Sequence, residues 1–448
     1  MGRLFGTDGV RGLANEKLTC ELAYKLGQAG AYVLTNEVHK AKILIGKDTR
    51  ISGDMLESAL IAGICSVGAE AMIAGVIPTP AIAHLTRNYG ADAGVMISAS
   101  HNTVEYNGIK FFSSKGYKLQ DEIEERIESI IIDETESFEL PTGINVGRKV
   151  VIKNASEEYR DFLHYSTDQR FRGLKVILDC AHGAASHIAP SVFRRLGAEI
   201  IPYYNTPDGT NINDNCGSTH PNTLATLVQE LGADIGLAFD GDADRLIAVD
   251  ERGVLVDGDA IMAICALDMK DRGLLNKNTL VATVMSNLGL DIAMKENGIK
   301  VIKTKVGDRY VLEEMLAKGY NFGGEQSGHI IYSDFNMTGD GVLSGIQLIS
   351  VMRRSNKTLS KLAKCINILP QVLVNAKVCE NDKMAYEKDS EIKAEIKKLE
   401  HEFKGQGRIL IRPSGTEPLV RVMLEGKDQT YIEKKAYMLA KLIEEKCS

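Results

Sequence analysis

A chain of 448 residues is longer than one hydrophobic core organises, so about three or four domains are expected. Its 44 % hydrophobic and 25 % charged residues, with 42 Gly, 10 Pro and no Trp, exclude a disordered or fibrous protein. A formal net charge of −7 without a long Lys/Arg run argues against nucleic acid as the main partner, and no apolar stretch approaches the roughly 18 residues of a membrane span.

The N-terminal MGRLFGTDGVRG lacks the apolar core of a signal peptide. The eight cysteines form no C-x-x-C pair and no even cluster, which indicates neither a disulfide framework nor a zinc site. Reduced, mostly buried thiols of a cytoplasmic protein are expected.

Further along, three units repeat one plan. AKILIGKDTR (41–50), LKVILDCAHG (174–183) and NTLVATVMSN (278–287) each read as a buried strand, a polar turn and the start of an amphipathic helix. Each unit continues with a second strand, GAEAMIAGV from Gly68, GAEIIPYY from Gly197 and NGIKVIKTKV from Asn297. Each closes on a Gly-containing segment that runs into a polar loop: YGADAGVMISASHN (89–102), LGADIGLAFDGDADR (231–245) and KGYNFGGEQSGH (318–329). Strands alternating with helices predict α/β domains with a parallel or mostly parallel sheet, whose ligands sit beyond the carboxyl ends of the strands. After about residue 370 the plan changes to a charged helical stretch (380–404), the segment GRILIRPSGTEPLVRVMLEG and a final helix from about 428, which predicts a smaller α+β domain. The expected domains are 1–150, 151–254, 255–368 and 369–448.

The polar loops carry the chemistry. Asp240, Asp242 and Asp244 place three carboxylates within five residues, and these repel one another unless a hard, oxygen-binding cation such as Mg²⁺ offsets their charge. A solvated acidic turn is the plain alternative. An EF-hand is a sharper one, with Glu251 at its twelfth position, but Arg245 stands where that loop needs glycine and LIAVD reads as a strand. Ser100, in Ser98-Ala-Ser100-His101-Asn102, is a poor nucleophile alone, yet as a phosphoserine beside a divalent ion it can donate a phosphoryl group. A Ser-His pair that merely caps a turn is the alternative, and no G-x-S-x-G elbow supports a hydrolase. Glu325 and Ser327, flanked by Gly324 and Gly328, suit hydrogen bonding to sugar hydroxyls. Arg412, Ser414, Gly415 and Thr416, with Arg421 on the next strand, gather donors in the manner of an anion site.

Together SASHN, DGDADR, GEQSGH and RPSGTEP, in that order and preceded by FGTDGVRG, resemble the α-D-phosphohexomutase superfamily over essentially the whole chain. The resemblance implies four domains around a central cleft, three of them related α/β domains. It implies Ser100 as the phosphorylated residue, and Asp240, Asp242 and Asp244 as ligands of Mg²⁺ together with a phosphate oxygen on Ser100. Glu325, Ser327 and His329 would contact the sugar, while Arg412, Ser414, Gly415, Thr416, Arg421 and Arg245 would hold phosphate. Gln326 and SASHN favour the branch acting on glucosamine phosphates over the phosphoglucomutase/phosphomannomutase branch, whose members often have Met at that position. The implied reaction interconverts glucosamine 6-phosphate and glucosamine 1-phosphate through a 1,6-bisphosphate, supplying cell-wall precursors. The phosphate-binding domain would close over the cleft, and a homodimer is implied. Thr103 departs from the family, which commonly has Pro after SHN, and relaxes that loop. Candidate proton carriers are His101, Lys110, Arg11 and His329. A magnesium phosphatase with Asp240 as nucleophile is the alternative in another reaction class, although Asp244 departs from the Thr or Val usual there, and a non-catalytic sugar-phosphate binder is a third reading.

Overall fold

Runs such as Ile43-Leu44-Ile45 and Ile235 to Phe239 are buried on both faces, which suits central strands covered by helices on either side. The computed structural model describes residues 3–6, 8–34, 40–137, 139–379, 384–403, 405–413 and 418–447. The chain divides into two compact units, Met1–Met285 with Gly298–Cys365, and Ser286–Asn297 with Ile366–Ser448.

Among the described residues the larger unit contains three sheets. The first holds β1 (Val10–Leu13), β2 (Lys42–Lys47), β3 (Glu70–Val76), β4 (Ala93–Ile97), β5 (Tyr106–Ser113) and β6 (Lys149–Val151), in the order β1-β5-β4-β2-β3-β6. The second holds β7 (Lys175–Asp179), β8 (Glu199–Tyr203), β9 (Ile235–Phe239), β10 (Leu246–Asp250) and β11 (Leu255–Val256), in the order β11-β10-β9-β7-β8. The third holds β12 (Thr279–Thr283), β13 (Lys300–Thr304), β14 (Phe322–Gly324) and β15 (Ile330–Tyr332), in the order β13-β12-β14-β15.

One motif recurs in all three sheets. A first strand lies parallel between the second and the third, and a return strand pairs antiparallel with the third. The return strands β5, β10 and β15 make the sheets mixed, where the sequence led us to expect mostly parallel ones. SASHN, DGDADR and GEQSGH occupy the connections β4–β5, β9–β10 and β14–β15. These connections are far too short for the dozen or more residues of a parallel crossover, so the following strand has to reverse. The three loops therefore hold equivalent places in the three units.

Two helices of this unit begin on acidic caps, Asp340 buried and Asp257 half-buried. Asp257 accepts from Ala260 N at 3.0 Å to start Gly258–Asp271, and Asp340 accepts from Leu343 N at 2.9 Å to start Gly341–Ser355, contributing about 1 kcal/mol each. The smaller unit is an antiparallel sheet of β16 (Gln371–Lys377), β17 (Gly407–Pro413) and β18 (Leu419–Gly426), ordered β16-β18-β17, with helices Ser390–Phe403 and Gln429–Cys447 supplying apolar faces. This is the α+β arrangement expected of the C-terminal region. The short helix Leu288–Glu296 belongs to the same unit, where Leu288 N donates to Glu425 at 2.9 Å and Asn287 exchanges hydrogen bonds with Leu369.

Two smaller findings bear on the sequence reading. None of the eight cysteines is in a disulfide, but only Cys180, Cys216, Cys265 and Cys447 are buried and Cys379 is exposed, so fewer thiols are buried than expected. Among the described residues, no helix is long and apolar enough to cross a membrane.

Candidate active site

Ser100 lies at the head of β5's connecting loop in the left-handed backbone region, at φ 52°. A non-glycine residue there carries strain that its surroundings must hold. Here the surroundings do hold it. Ser100 N donates to Ser98 Oγ at 2.9 Å, and Ser98 Oγ donates to Asp48 at 2.6 Å. Asp48 pairs with the buried Arg50 at 2.9 Å, whose guanidinium donates to the carbonyls of Ser100 (3.0 Å), Asn102 (2.8 Å) and Thr103. Asn213 Nδ2 reaches the first two of these carbonyls as well, at 2.8 and 2.9 Å. The loop that Thr103 was expected to relax is thus tied down through its carbonyl oxygens.

The aspartate loop packs directly against it. Ser100 Oγ donates to Asp240 Oδ2 at 2.6 Å, bringing together residues 140 positions apart. Gly241 permits the approach, because a Cβ there would lie 2.6 Å from Ser100 O and 2.9 Å from Asn213 Nδ2. Ala243 also adopts a left-handed backbone, at φ 57°, so the turn that gathers the three aspartates is strained too. LIAVD forms β10, paired along its length with β9, and this removes the EF-hand alternative.

Carboxylate oxygens of Asp240, Asp242 and Asp244 lie within 4.8 Å of one another, and all three residues are buried. Asp242 Oδ1 and Asp244 Oδ1 have no hydrogen-bond partner. Buried anionic oxygens left in this state are costly, and an all-oxygen set of this kind matches a magnesium ion. The residues present therefore fit the metal. Burial, with the neighbouring carboxylates, pushes Asp240 well above the usual range and raises Asp244. Asp242 behaves oppositely: burial pushes it up, but Lys110 outweighs this and holds it low, helped by Thr79 Oγ1, which donates at 2.5 Å.

Five of the remaining candidates line one cavity of about 420 Å³ beside this cluster: Arg11, His101, Arg245, Glu325 and His329. Lys110 is buried at its edge on β5, with Nζ 2.8 Å from Asp242 and 2.9 Å from Asp8. Burial pulls the Lys110 ammonium down, yet Asp242, Asp8 and Asp244 together hold it well above its ordinary value, the reverse of the depression a lysine base requires. His101 Nδ1 lies 3.3 Å from Ser100 Oγ. Burial, then the Arg245 and Arg11 charges, lower its imidazole to about 4. Arg11 pairs with Asp8, and Arg245 Nε faces Asp244 at 3.7 Å and Asp240 at 4.0 Å. His329 Nε2 accepts from Gly339 N at 3.2 Å and lies 3.3 Å from Asp308. Glu325 Oε1 accepts from Gly307 N at 3.1 Å. Ser327 stands at the exposed tip of the same turn and is not among the residues lining the cavity.

The fourth motif lies in the smaller unit. Ser414, Gly415 and Thr416 fall outside the described residues, whereas Arg412 on β17 and Arg421 on β18 are direct cross-strand partners. Burial and then the Arg421 charge lower Arg412, and two like charges opposed on one face suit an anion held between them.

Comparison with known proteins finds one family along the chain. Profiles of phosphoglucomutase/phosphomannomutase alpha/beta/alpha domains I, II and III match residues 2–138, 157–253 and 257–368, and that of the C-terminal domain matches 373–442. Phosphoglucosamine mutases from Clostridium novyi and Acetivibrio thermocellus are each 61% identical, over 448 and 447 residues, covering 100% of both chains in each case. The chain belongs to the phosphoglucomutase/phosphomannomutase family, in its phosphoglucosamine mutase branch. Solved structures of the family share the fold. A phosphoglucomutase/phosphomannomutase family protein from Burkholderia thailandensis has a TM-score of 0.81 at 22% identity, with 99% of this chain and 98% of that one covered. Aspergillus fumigatus N-acetylphosphoglucosamine mutase, in complex with GlcNAc-6P and magnesium, has a TM-score of 0.70 at 17% identity, with 99% and 96% covered.

Within this family site, sequence reasoning missed several residues. Asp48, Arg50, Thr79 and Asn213 hold the serine and aspartate loops, and Asp8, Lys118 and Asp308 belong to the cavity. Lys118 Nζ bridges Asp8, at 2.6 Å, and Asp308. Three of these carried a readable signal: Asp8 stands inside FGTDGVRG, and Asp48 and Arg50 are an acid and a base two residues apart, directly after the buried strand β2, at the end of the sheet where the ligand loops were expected.

Proposed function

We propose that the chain interconverts glucosamine 6-phosphate and glucosamine 1-phosphate by passing a phosphoryl group through Ser100. The observation that carries the reading is the 2.6 Å contact between Ser100 Oγ and Asp240 at the buried triple-aspartate cluster, in a chain aligned end to end with phosphoglucosamine mutases. In the forward direction the phosphorus–oxygen bond to Ser100 Oγ breaks and a bond forms to the C1 oxygen of glucosamine 6-phosphate. The 1,6-bisphosphate then turns over, Ser100 Oγ takes the 6-phosphoryl group, and glucosamine 1-phosphate leaves. Each half-reaction frees one proton from the attacking hydroxyl and consumes one at the departing oxygen.

Asp240, Asp242 and Asp244 would hold a magnesium ion, whose charge stabilises the transferring phosphoryl group. The protein's own groups do the rest. Arg50 and Asn213 fix the serine loop. The Ser100 hydroxyl stands between Asp240 Oδ2 and His101 Nδ1, so those two atoms are placed to exchange its proton. Lys110 and Arg245 supply fixed positive charge, Glu325 and His329 face the sugar, and Arg412 with Arg421 would hold the phosphate that is not reacting. In the phosphatase reading Asp240 would attack phosphorus, but its Oδ2 is engaged by Ser100, which favours the mutase.

The test is ³¹P NMR of the protein with Mg²⁺, a trace of glucosamine 1,6-bisphosphate and glucosamine 6-phosphate, alongside Ser100→Ala. Sugar 1-phosphate formed by the native protein and not by the variant is the expected result. Release of free phosphate alone, or activity indifferent to Ser100, overturns the proposal.

A further inference from the structure

Asp242 differs from the other two aspartates in how its carboxylate is held. Its Oδ2 accepts from Thr79 Oγ1 at 2.5 Å and from Lys110 Nζ at 2.8 Å, while its Oδ1 is buried without a hydrogen-bond partner. One oxygen is thus filled from the protein side and the other is left open. Asp240 shows no such division, since Ser100 Oγ donates to its Oδ2 at 2.6 Å and the Arg245 amide to its Oδ1 at 3.3 Å. Asp244 Oδ2 lies 3.9 Å from both Lys110 Nζ and His329 Nε2, beyond hydrogen-bond reach.

Thr79 comes to this cluster from the sheet that carries the serine loop. It follows β3, opens the helix Thr79–Asn88 and is buried. Pro78 and Pro80 flank it, and proline has no N–H. The Thr79 amide is therefore the one backbone donor of these three residues, and it reaches Asp242 O at 3.0 Å. A single residue grips Asp242 by its main chain and by its carboxylate. With the main chain pinned, the rotation of the carboxylate is what remains to be set, and the hydroxyl sets it.

The two donors on Oδ2 are not equivalent. Lys110 Nζ also pairs with Asp8 at 2.9 Å, and its charge sits on a long, flexible stem. Thr79 is β-branched and stiff at χ1, on a backbone fixed by prolines. Its neutral hydroxyl orients the carboxylate without neutralising it, so the open Oδ1 keeps the negative charge that a hard cation requires.

We infer that Thr79 is a positioning residue of the metal site, which holds Asp242 with Oδ1 free for the ion and so sets how tightly Mg²⁺ binds. The inference rests on the mutase reading, in which the three aspartates take magnesium, and adds the residue behind them that tunes the affinity. Partners that orient a metal ligand from behind are generally worth about 10- to 100-fold in affinity.

The test measures Mn²⁺ binding to the full-length protein by electron paramagnetic resonance, with Mg²⁺ as competitor, for native protein, Thr79→Val, Thr79→Ser and Asp242→Asn. Melting temperatures without metal show which variants fold. Thr79→Val keeps the shape and loses the hydroxyl, and is expected to weaken Mn²⁺ and Mg²⁺ at least tenfold. Thr79→Ser keeps the hydroxyl and should stay within threefold of native, and Asp242→Asn should abolish the site. Thr79→Ala takes the place of Thr79→Val, with the same tenfold threshold, where the valine variant does not fold. Affinity within threefold of native in the variant lacking the hydroxyl, or an equal loss in Thr79→Ser, overturns the inference and leaves the mutase reading standing. A native protein that binds no Mn²⁺, or binding unchanged in Asp242→Asn, overturns the metal assignment together with the inference, while Ser100-dependent turnover still judges the mutase reading.

Discussion

Adding one methyl group at Gly241 tests whether the contact between the serine and aspartate loops sets the rate. A Cβ at this position would lie 2.6 Å from Ser100 O, 2.8 Å from Ile212 Cδ1 and 2.9 Å from Asn213 Nδ2. The isoleucine methyl can rotate away, but the carbonyl cannot, because Arg50 and Asn213 hold it at 3.0 and 2.8 Å. Ordinary contact with Ser100 O requires roughly 0.8 Å more separation. A misplacement near 1 Å at a reacting group costs on the order of 100-fold. Gly241→Ala is therefore expected to lower kcat by about 30- to 100-fold, with a smaller change in KM, in a steady-state assay of sugar 1-phosphate formation. Gly273→Ala provides the control: its φ of 68° strains any side chain, yet nothing lies within 4 Å of the added atom, so it costs about 1 kcal/mol of stability and no turnover. A Gly241→Ala enzyme with kcat within threefold of native and an unchanged melting temperature would refute the reasoning.

Arg50→Lys keeps the charge but loses the fork that spans three carbonyls; a fall of tenfold or more in kcat with a lower melting temperature is expected, and native turnover would show that the loop holds its strained serine unaided. Asp244→Asn removes one anion from the metal set, so the Mg²⁺ concentration for half-maximal activity should rise at least tenfold, and an unchanged midpoint would take Asp244 out of it. Asp179, at the end of β7, is raised to about 6 by burial, against which the Ala181 and Gly217 amides donate at 2.9 and 2.8 Å. A folded-state value above the unfolded one means that its stabilising contribution is complete below about pH 4 and is lost as pH rises through about 6. The melting-temperature advantage of native protein over Asp179→Asn should shrink across that window, and a difference independent of pH would contradict the shift. The neighbouring thiols do not confuse the reading, since burial raises Cys216 to about 12 and Cys180 well above its ordinary value.

Much of the fold was legible because the repeated units obey local rules. Apolar runs bounded by glycine turns mark β2, β7 and β12, and the helices follow at the expected period. The return strands β5, β10 and β15 went unread as antiparallel partners, although the brevity of the loops before them leaves no other geometry. A motif was treated as a loop ending a strand, when its length also dictates the direction of the next strand. The placement of Leu288–Glu296 with the C-terminal unit was not legible at all. Its sequence is an ordinary helix after a strand, and what binds it there is Glu425, more than a hundred positions away.

The site shows the same division. The residues proposed to touch the reaction cluster in short motifs because one turn must present several groups at once, so Ser100, the three aspartates and Glu325 stand out in the bare sequence. Residues that hold those turns in place follow no such spacing, since any position that folds alongside will serve. Arg50 meets the serine loop across some 50 positions, Thr79 meets Asp242 across 163 and Asn213 meets Ser100 across 113. The supporting residues also bear a heavy share of the work, because Ser100 and Ala243 both sit in backbone conformations that revert unless opposed. Charge balance is a third kind of information, and it belongs to neither motif nor spacing. Asp8 shows it: Arg11, Lys110 and Lys118 all pair with that one carboxylate, and nothing in the spacing of the four residues announces that they meet.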